Sequence, residues 1–149
     1  MQTLFLDFDG VLHPEFCHAS KHFSCLAHFE AVLRRFPEID VVIASTWRLH
    51  TPIDELRSCF SADVADRVID VTPNFCQLAD VSASMVSFHR EAECIAWLRA
   101  NDRVAKPWLA IDDRSWLYRP FNPAVFLVNG RTGLTADSAV ALSIRLARL

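Results

Sequence analysis

Two aspartates stand two residues apart near the start of the chain, where an apolar stretch comes to an end. The stretch TLFLDFDGVLHP covers residues 3–14, with Asp7 and Asp9 followed by Gly10. Buried carboxylates are costly unless a cation or a metal ion accompanies them. Taken alone, the pair is explained equally well by a turn or a cap. Chemistry at Asp7 and Asp9 therefore needs support from other parts of the sequence.

Polar residues also follow two later apolar stretches. Ser45 closes VVIAS and is followed by Thr46, while Asp112 and Asp113 close WLAIDD. If these stretches are parallel strands, their carboxyl ends meet at one edge of a sheet, where ligands bind in such folds. The carboxylates would then form one acidic cluster, whose hard oxygen ligands suit Mg²⁺. The predicted metal ligands are Asp7, Asp9 and Asp113, with Asp112 as the alternative to Asp113.

Five apolar stretches alternate with segments of helical periodicity. The predicted strands cover residues 3–8, 40–45, 67–71, 107–112 and 124–129. The predicted helices cover 24–36, 51–60 and 88–100, and a last helix follows Thr135. This alternation predicts a parallel sheet covered on both faces. The expected fold class is therefore α/β, a three-layer α/β/α sandwich with a five-stranded parallel sheet, in a single domain of residues 1–149.

Two of these helices carry specific expectations at their ends and faces. Thr51 is the expected N-cap of the helix at 51–60, with Pro52 in the first helical position. In the last helix, Thr135 is the expected cap. Val140 and Ile144 are expected to face the core there, with Leu142 beside them.

The segments DFDGV, VVIAS and WLAIDD resemble motifs one, two and four of the haloacid dehalogenase-like (HAD) superfamily. They occur in the family's order, each at the end of a predicted strand, and together they span most of the chain. Three ordered motifs are much more specific than DxDG alone. The resemblance implies a Rossmann-like fold and Mg²⁺-dependent phosphoryl chemistry.

The resemblance implies a role for each matching residue. Asp7 resembles the nucleophile that forms an aspartyl-phosphate. Asp9 resembles the general acid/base that protonates the leaving oxygen and then activates water, and its main-chain carbonyl would meet the metal. Ser45 resembles the hydroxyl residue that hydrogen-bonds the transferring phosphoryl group, with Thr46 as the alternative.

The metal and the phosphate need further groups. Asp113 resembles the metal ligand of motif four, with Asp112 as a second ligand or as a support behind it. The family places a lysine or arginine ahead of the fourth strand, and we expect Arg90 in that role. Lys106 is the alternative cation, and Arg90 is otherwise an ordinary solvated helix residue. Gly10 permits a tight turn that brings backbone N–H groups to the phosphate.

The spacing of the elements leaves no room for a full cap domain. Roughly 30 residues separate Asp9 from the second strand, and roughly 35 separate the third strand from the fourth, with a helix inside each gap. By resemblance, capless members act on large substrates such as nucleic-acid ends or phosphoproteins. A short flap at residues 13–23 is the remaining candidate for a cover.

Arginines and aromatic residues follow the predicted strands, and together they suit phosphate contacts and base stacking. His13 is a further candidate for substrate contact, although a solvated loop histidine is equally consistent. The predicted substrate-binding residues are Gly10, His13, Trp47, Arg48 and Arg114. The other rim residues are Arg119, Arg131, Trp116, Tyr118 and Phe121, and about half of the rim aromatics are expected to be core. ASTWR and the compact length are also similar to HAD domains of RNA-repair proteins.

The composition narrows the setting of this chemistry. No apolar run approaches the roughly 18 residues that span a bilayer, and the amino terminus lacks a basic segment, so we expect a cytoplasmic protein. The five cysteines include no CxxC pair and are expected to be free thiols. Residues 17–28 (CHASKHFSCLAH) combine cysteines with histidines, but their spacing does not match two zinc-finger ligand pairs. We expect this segment to be a loop that enters the first helix.

The sequence thus predicts a Mg²⁺-dependent phosphomonoesterase that acts on a nucleotide, a nucleic-acid end or another bulky phosphate. The net charge of −3 argues against a long nucleic-acid track. The partner expected is the phosphorylated substrate, with no membrane and no obligate protein partner. One rival is a non-catalytic phosphate- or nucleic-acid-binding module on the same fold, which has no need for an acid/base at Asp9. A second rival is a dehalogenase or another transferase. The aspartate at Asp9 favours phosphoryl chemistry over it, because dehalogenation needs neither a metal nor a protonated leaving oxygen.

Overall fold

Five parallel strands form one sheet at the centre of the computed structural model, which describes residues 1–149. The strands are β1 (Gln2–Leu6), β2 (Ile39–Ile43), β3 (Val68–Val71), β4 (Trp108–Asp112) and β5 (Val125–Leu127). Their spatial order is β3-β2-β1-β4-β5, so β1 is central and pairs with β2 and β4. The reversal of strand order beside β1 is the topological switch point at which such sheets bind ligands.

Helices cover both faces of the sheet. They are α1 (Leu26–Arg34), α2 (Ile53–Ser58), α3 (Ala62–Ala65), α4 (His89–Ala100) and α5 (Ala136–Leu146), joined in places by single 3-10 turns. Leu4 and Leu6 of β1 pack in one apolar cluster with residues of α1 and α5. Phe5 points to the other face, in a second cluster with residues of α4. The alternation along β1 therefore separates two cores, which confirms the predicted three-layer α/β/α sandwich.

The last helix differs from the sequence prediction in the face that it buries. Thr135 caps α5 in a capping box with Ser138, as expected for its amino terminus. Leu142 is fully buried, whereas Val140 and Ile144 are 61% and 50% exposed. The prediction that Val140 and Ile144 face the core is therefore wrong. Both stripes of α5 have helical spacing, and contact with α1 selects the stripe that contains Leu142.

The second helix also begins differently from the prediction. Pro52, rather than Thr51, is the N-cap of α2, and no side chain caps this helix. A separate one-turn helix, α3, follows it where the sequence pattern indicated none. β1, β2 and β5 each end two residues earlier than the apolar runs that predicted them, whereas β3 and β4 end at the predicted residue. These early ends leave the polar residues after the strands in loops at one edge of the sheet.

No inserted domain separates the elements around this edge. The connection from β1 to β2 contains the short turn Ala19–Lys21 and α1. The connection from β3 to β4 contains two short turns and α4. These contents confirm the predicted absence of a full cap domain. No helix in the structure is long and apolar enough to cross a membrane.

Candidate active site

Three carboxylates converge at the carboxyl ends of the central strands. Asp7 follows β1, and Asp112 and Asp113 stand at the end of β4, the neighbouring strand. One carboxylate oxygen from each lies within 4.8 Å of the others. Asp7 is 6% exposed and Asp112 is fully buried. The structure thus brings together three of the four predicted metal ligands by their side chains.

The proximity and burial of these carboxylates change their acidity. Burial, reinforced by the neighbouring charge of Asp112, raises the pKa of Asp7 to about 8. Burial and the same Asp112 charge raise the pKa of Asp113 to about 6. Both shifts mean that two negative charges are unfavourable here without a compensating cation. A bound divalent cation reverses this balance, because it favours the ionised forms.

The residues at this site fit a hard divalent cation such as Mg²⁺. Oδ1 of Asp113 is buried and has no hydrogen-bond partner, so it is free to coordinate. Asp112 differs, since its Oδ1 accepts from the Arg114 N–H at 2.9 Å and its Oδ2 accepts from the Tyr118 hydroxyl at 3.0 Å. An all-oxygen donor set with one unsatisfied carboxylate oxygen is typical of Mg²⁺ ligation.

Two glycines shape the space around Asp113. A Cβ atom on Gly10 would lie 2.3 Å from Oδ2 of Asp113, and a Cβ atom on Gly130 would lie at the same distance. Gly10 also has a φ of +80°, a left-handed conformation that other residues rarely adopt. Gly10 was predicted from the DxDG turn, whereas Gly130 was missed, although it follows the fifth apolar run. These two residues hold the Asp113 carboxylate in a narrow cradle.

Arg90 supplies a buried positive charge beside the carboxylates. It lies in the first turn of α4, and its side chain is 8% exposed. Its Nε lies 3.9 Å from Asp112 Oδ2 and 3.8 Å from Glu93 Oε2, and its Nη1 is buried without a hydrogen-bond partner. Burial alone would lower its pKa, but the Asp7 and Asp112 carboxylates outweigh burial and raise the pKa of Arg90. Arg90 is thus a permanent cation with a donor to offer, and it is not a solvated helix residue.

The other predicted cation lies elsewhere. Lys106 is exposed and precedes Trp108, where β4 begins. It is therefore at the amino end of the strand, opposite the end that carries Asp112. The structure thus favours Arg90 over Lys106 as the cation of the candidate site.

Asp9 is more exposed than the other carboxylates and is held by two donors. Its side chain is 42% exposed. His13 Nε2 lies 2.7 Å from Oδ1, and the Trp47 indole N–H donates to Oδ2 at 3.1 Å. These hydrogen bonds, the one from His13 first, lower the pKa of Asp9. Asp9 therefore points its carboxylate to the solvent side of the site in a fixed orientation.

His13 is buried beside Asp9, so it is not the solvated loop histidine that the sequence left as one alternative. It is 1% exposed, and its Nδ1 accepts from the Phe23 N–H at 3.2 Å. Because Nδ1 is an acceptor, the neutral ring carries its proton on Nε2 and donates to Asp9. His13 therefore makes a positioning contact with Asp9, and a contact between His13 and substrate stays a prediction. The contact arises from a turn closed by a backbone bridge between Asp9 and His13, and residue spacing alone does not reveal it.

Trp47 likewise contacts Asp9 while packing against apolar neighbours. Its ring lies edge-on to Phe8 and Phe23, with centroid separations of 5.5 Å in both pairs. Trp47 is half-buried, so its position at the rim agrees with the expectation, but its polar atom is already used by Asp9.

The two hydroxyl residues after β2 differ in environment. Ser45 is fully buried, and its side-chain oxygen accepts from the Trp47 N–H at 3.3 Å, which caps the 3-10 turn Thr46–Leu49. Thr46 is exposed. A phosphate contact by either hydroxyl stays a prediction.

Two rim arginines have structural roles instead. All five N–H donors of Arg48 are engaged, four by backbone carbonyls and one by Glu93 at 2.8 Å. Its side chain is 3% exposed, so the expectation that Arg48 binds substrate finds no free donor. Arg119 is paired with the fully buried Glu91 at 2.7 Å. Sequence spacing gave no signal for the two buried glutamates that capture these arginines.

The open side of the site carries a cation and the exposed ring of Phe16, while a second exposed ring, that of Trp116, lies in the turn after β4. Arg114 has no side-chain hydrogen bond and lines a cavity of about 180 Å³ together with Asp9 and Phe16. Phe16 is 90% exposed at a φ of 54°, and Trp116 is 65% exposed. Tyr118 is buried instead, since its hydroxyl supports Asp112. Neither this cavity nor the larger ones of about 460 and 710 Å³ is lined by any of the three clustered carboxylates, and Asp9 is the only predicted metal ligand in the wall of the 180 Å³ cavity.

Comparison with known proteins identifies one family. The family described as the HAD domain in Swiss Army Knife RNA repair proteins matches residues 3–139. No curated protein and no solved structure shows a significant match to the chain. The matched range includes all the carboxylates of the site, Arg90 and the whole sheet except Gln2. The chain therefore belongs to the family of HAD domains found in Swiss Army Knife RNA repair proteins.

Proposed function

We propose that the protein is a Mg²⁺-dependent phosphomonoesterase that acts through an aspartyl-phosphate on Asp7. The observation that carries this proposal is the cluster of Asp7, Asp112 and Asp113, with ligand oxygens within 4.8 Å of one another. Beside it stand the partnerless Asp113 Oδ1 and Arg90 Nη1, both buried. The first suits a cation and the second an anion, which is the pairing that a phosphate and its metal require.

Asp7 and Asp113 would hold the metal, together with the main-chain carbonyl of Asp9, while Asp112 keeps its hydrogen bonds to Arg114 and Tyr118. When bound, Mg²⁺ neutralises charge so that an anionic carboxylate and an anionic phosphate can approach each other. Asp7 attacks phosphorus, which forms a bond between its oxygen and phosphorus and breaks the bond to the leaving oxygen. Arg90 donates from Nη1 to a phosphoryl oxygen and offsets the negative charge.

Asp9 handles the proton in this proposal. In the free protein the hydrogen bonds from His13 and Trp47 favour its carboxylate. An incoming anionic phosphate raises its proton affinity, so Asp9 takes up a proton in the complex and delivers it to the leaving oxygen. The resulting carboxylate then removes a proton from the water that attacks the aspartyl-phosphate. Its exposed position lets both the leaving group and the water reach it.

The substrate we propose is a phosphate at a nucleic-acid end or on a nucleotide. No cap domain covers the site, so a bulky substrate can supply its own cover. The exposed rings of Phe16 and Trp116 offer stacking surfaces for bases, and Arg114 has donors free for a phosphodiester. The family's occurrence in RNA repair proteins supports the same substrate class.

The test is Mg²⁺-dependent phosphate release from a panel of 5′- and 3′-phosphorylated oligonucleotides, nucleotides, sugar phosphates and p-nitrophenyl phosphate. We expect oligonucleotide ends or nucleotides to have the highest kcat/KM, and Phe16→Ala to lower that value about 10-fold. The same variant should hydrolyse p-nitrophenyl phosphate like the wild type, which is the control for an intact catalytic centre. If phosphate is released from no member of the panel, the proposal that the protein is a phosphatase is wrong. The non-catalytic phosphate- or nucleic-acid-binding module is then the remaining function.

A further inference from the structure

A second group of metal-ligating side chains lies apart from the three clustered carboxylates. His13, Cys17 and His22 each offer one ligand atom, and these three atoms lie within 4.8 Å of one another. The sequence spacing of Cys17, His18, His22, Cys25 and His28 argued against zinc, but the structure selects a different set. It recruits His13 from outside that segment and leaves Cys25 and His18 out. Cys25 Sγ instead donates to the Thr132 carbonyl, and His18 caps the turn Ala19–Lys21.

We propose that His13, Cys17 and His22 form a binding site for a thiophilic divalent cation of the Zn²⁺ class. Two imidazoles and one thiol are the donors that Zn²⁺ and Co²⁺ prefer, whereas Mg²⁺ prefers the oxygen atoms of Asp7 and Asp113. The two groups of ligands therefore differ in chemical hardness and are expected to bind different metals. This site does not depend on the proposed phosphatase activity.

The fold already orders the ligands of this site. His13 is 1% exposed, and its ring stacks on that of His22 with centroids 4.6 Å apart. Nε2 of His13 lies 2.7 Å from Asp9, so Nδ1 is the atom that would coordinate the metal. To do so, Nδ1 would give up the hydrogen bond that it accepts from the Phe23 N–H. A carboxylate on the far nitrogen of a metal-binding histidine fixes the orientation of its ring and strengthens it as a ligand.

The surroundings of the site are open enough and negative enough for a cation. His13, Cys17 and His22 line the cavity of about 180 Å³, which provides space for the metal and a water ligand. Two carboxylates, Asp9 and Glu15, line the same cavity with one guanidinium, Arg114. Carboxylates thus outnumber cations around it. Glu15 is a further oxygen donor available for the fourth position.

The experiment is titration of the full chain with Co²⁺, followed by displacement with Zn²⁺. We expect one Co²⁺ per chain with thiolate-to-metal charge-transfer absorption in the near ultraviolet, unaffected by excess Mg²⁺. Cys17→Ser should abolish this absorption, and His22→Gln should weaken Co²⁺ binding about 10-fold or more. Cys76→Ser and His28→Gln replace exposed residues outside the site and should retain both properties.

A second measurement keeps the proposal testable if a variant fails to fold. In the wild type, Zn²⁺ should protect Cys17 from alkylation while leaving the exposed Cys76 reactive, as mapped by mass spectrometry. Absence of thiolate charge transfer, or equal alkylation of Cys17 with and without Zn²⁺, would overturn the site. Both measurements follow metal binding alone, so failure of the phosphatase assay leaves their results unchanged.

Discussion

At the scale of single residues, the site separates two aspartates that the sequence presents as a pair. Asp7 is buried among carboxylates, and its pKa rises to about 8. Asp9, two residues later, is half-exposed, and its hydrogen bonds lower its pKa. Two aspartate side chains thus have pKa values shifted in opposite directions, upward by burial at Asp7 and downward by hydrogen-bond donors at Asp9. The difference suits the two proposed roles: the nucleophile Asp7 needs a cation beside it, and the proton carrier Asp9 needs access to solvent.

The elevated pKa of Asp7 predicts how the stability of the metal-free protein depends on pH. Between its ordinary value of 3.8 and the folded value of about 8, the folded state keeps a proton that the unfolded state releases. The contribution of Asp7 to the unfolding free energy therefore falls as the pH rises through this range. Asp7→Asn removes this loss, so at the upper end of the range the variant should be more stable by several kcal/mol, since each pKa unit corresponds to about 1.4 kcal/mol.

Urea unfolding in the presence of a chelator measures this difference. Asp80→Asn replaces an exposed aspartate without hydrogen bonds and should leave the pH dependence unchanged. Added Mg²⁺ should stabilise the wild type and narrow the gap between it and Asp7→Asn. If Asp7→Asn is less stable than the wild type in chelator at the upper end of this pH range, the Asp7 carboxylate does not destabilise the folded state.

His13 is predicted to act through Asp9. His13→Ala should lower kcat for p-nitrophenyl phosphate about 10-fold with little change in KM, because it removes the donor that orients Asp9. The pKa of Asp9, followed by carboxylate NMR, should rise in this variant, which a purely structural role does not predict. The side chain in His13→Gln can still donate a hydrogen bond to Asp9, so this variant should recover part of kcat and part of the lowered Asp9 pKa. His28→Ala, at an exposed histidine, is the control. An unchanged Asp9 pKa in His13→Ala would contradict this role.

At the scale of elements, the loops after β1 and β5 jointly confine one carboxylate. Gly130→Ala should push Asp113 out of its cradle, since the new Cβ would lie 2.3 Å from Oδ2. We expect Mg²⁺ affinity, measured by calorimetry, to fall about 10-fold. Gly133→Ala is the matched control, because its Cβ meets Cys25 and the backbone of Val11 and His13 instead. It should lower stability at its φ of +67° and leave Mg²⁺ affinity unchanged. Equal Mg²⁺ affinity in Gly130→Ala and the wild type would refute the cradle.

The elements show how far sequence reasoning reaches. The five strands and the polar residues at their ends were predictable, because apolar runs followed by Asp or Ser are local patterns. The buried stripe of α5 was not, since Val140–Ile144 and Ala139–Leu142–Leu146 both have helical spacing and only contact with α1 distinguishes them. Arg48 illustrates the same limit, because the glutamate that engages it comes from α4. Long-range partners decide such cases, and a single sequence does not reveal them.

At the scale of the whole molecule, an uncapped site on a chain of net charge −3 limits how much of a nucleic acid can be bound. Two of the four predicted rim arginines are held in ion pairs with buried glutamates, which leaves Arg114 beside the cavity and Arg131 exposed without an ion pair. The kcat/KM for phosphorylated oligonucleotides should therefore stop rising after the first few nucleotides and depend only weakly on salt. Steady-state kinetics on a length series at two salt concentrations measure both. A continued rise with length and a steep salt slope would reveal a basic track.

Attack by Asp7 on phosphorus can be observed with the Asp9→Asn variant and p-nitrophenyl phosphate. The good leaving group needs little protonation, so the first step proceeds, while the loss of the base at position 9 slows hydrolysis of the intermediate. In Mg²⁺ we predict a burst of one nitrophenolate per chain and, after acid quench, a phosphate on the peptide at Asp7 by mass spectrometry. If Asp7→Asn hydrolyses p-nitrophenyl phosphate at the wild-type rate and no phosphate is found on Asp7 in Asp9→Asn, Asp7 is not the nucleophile.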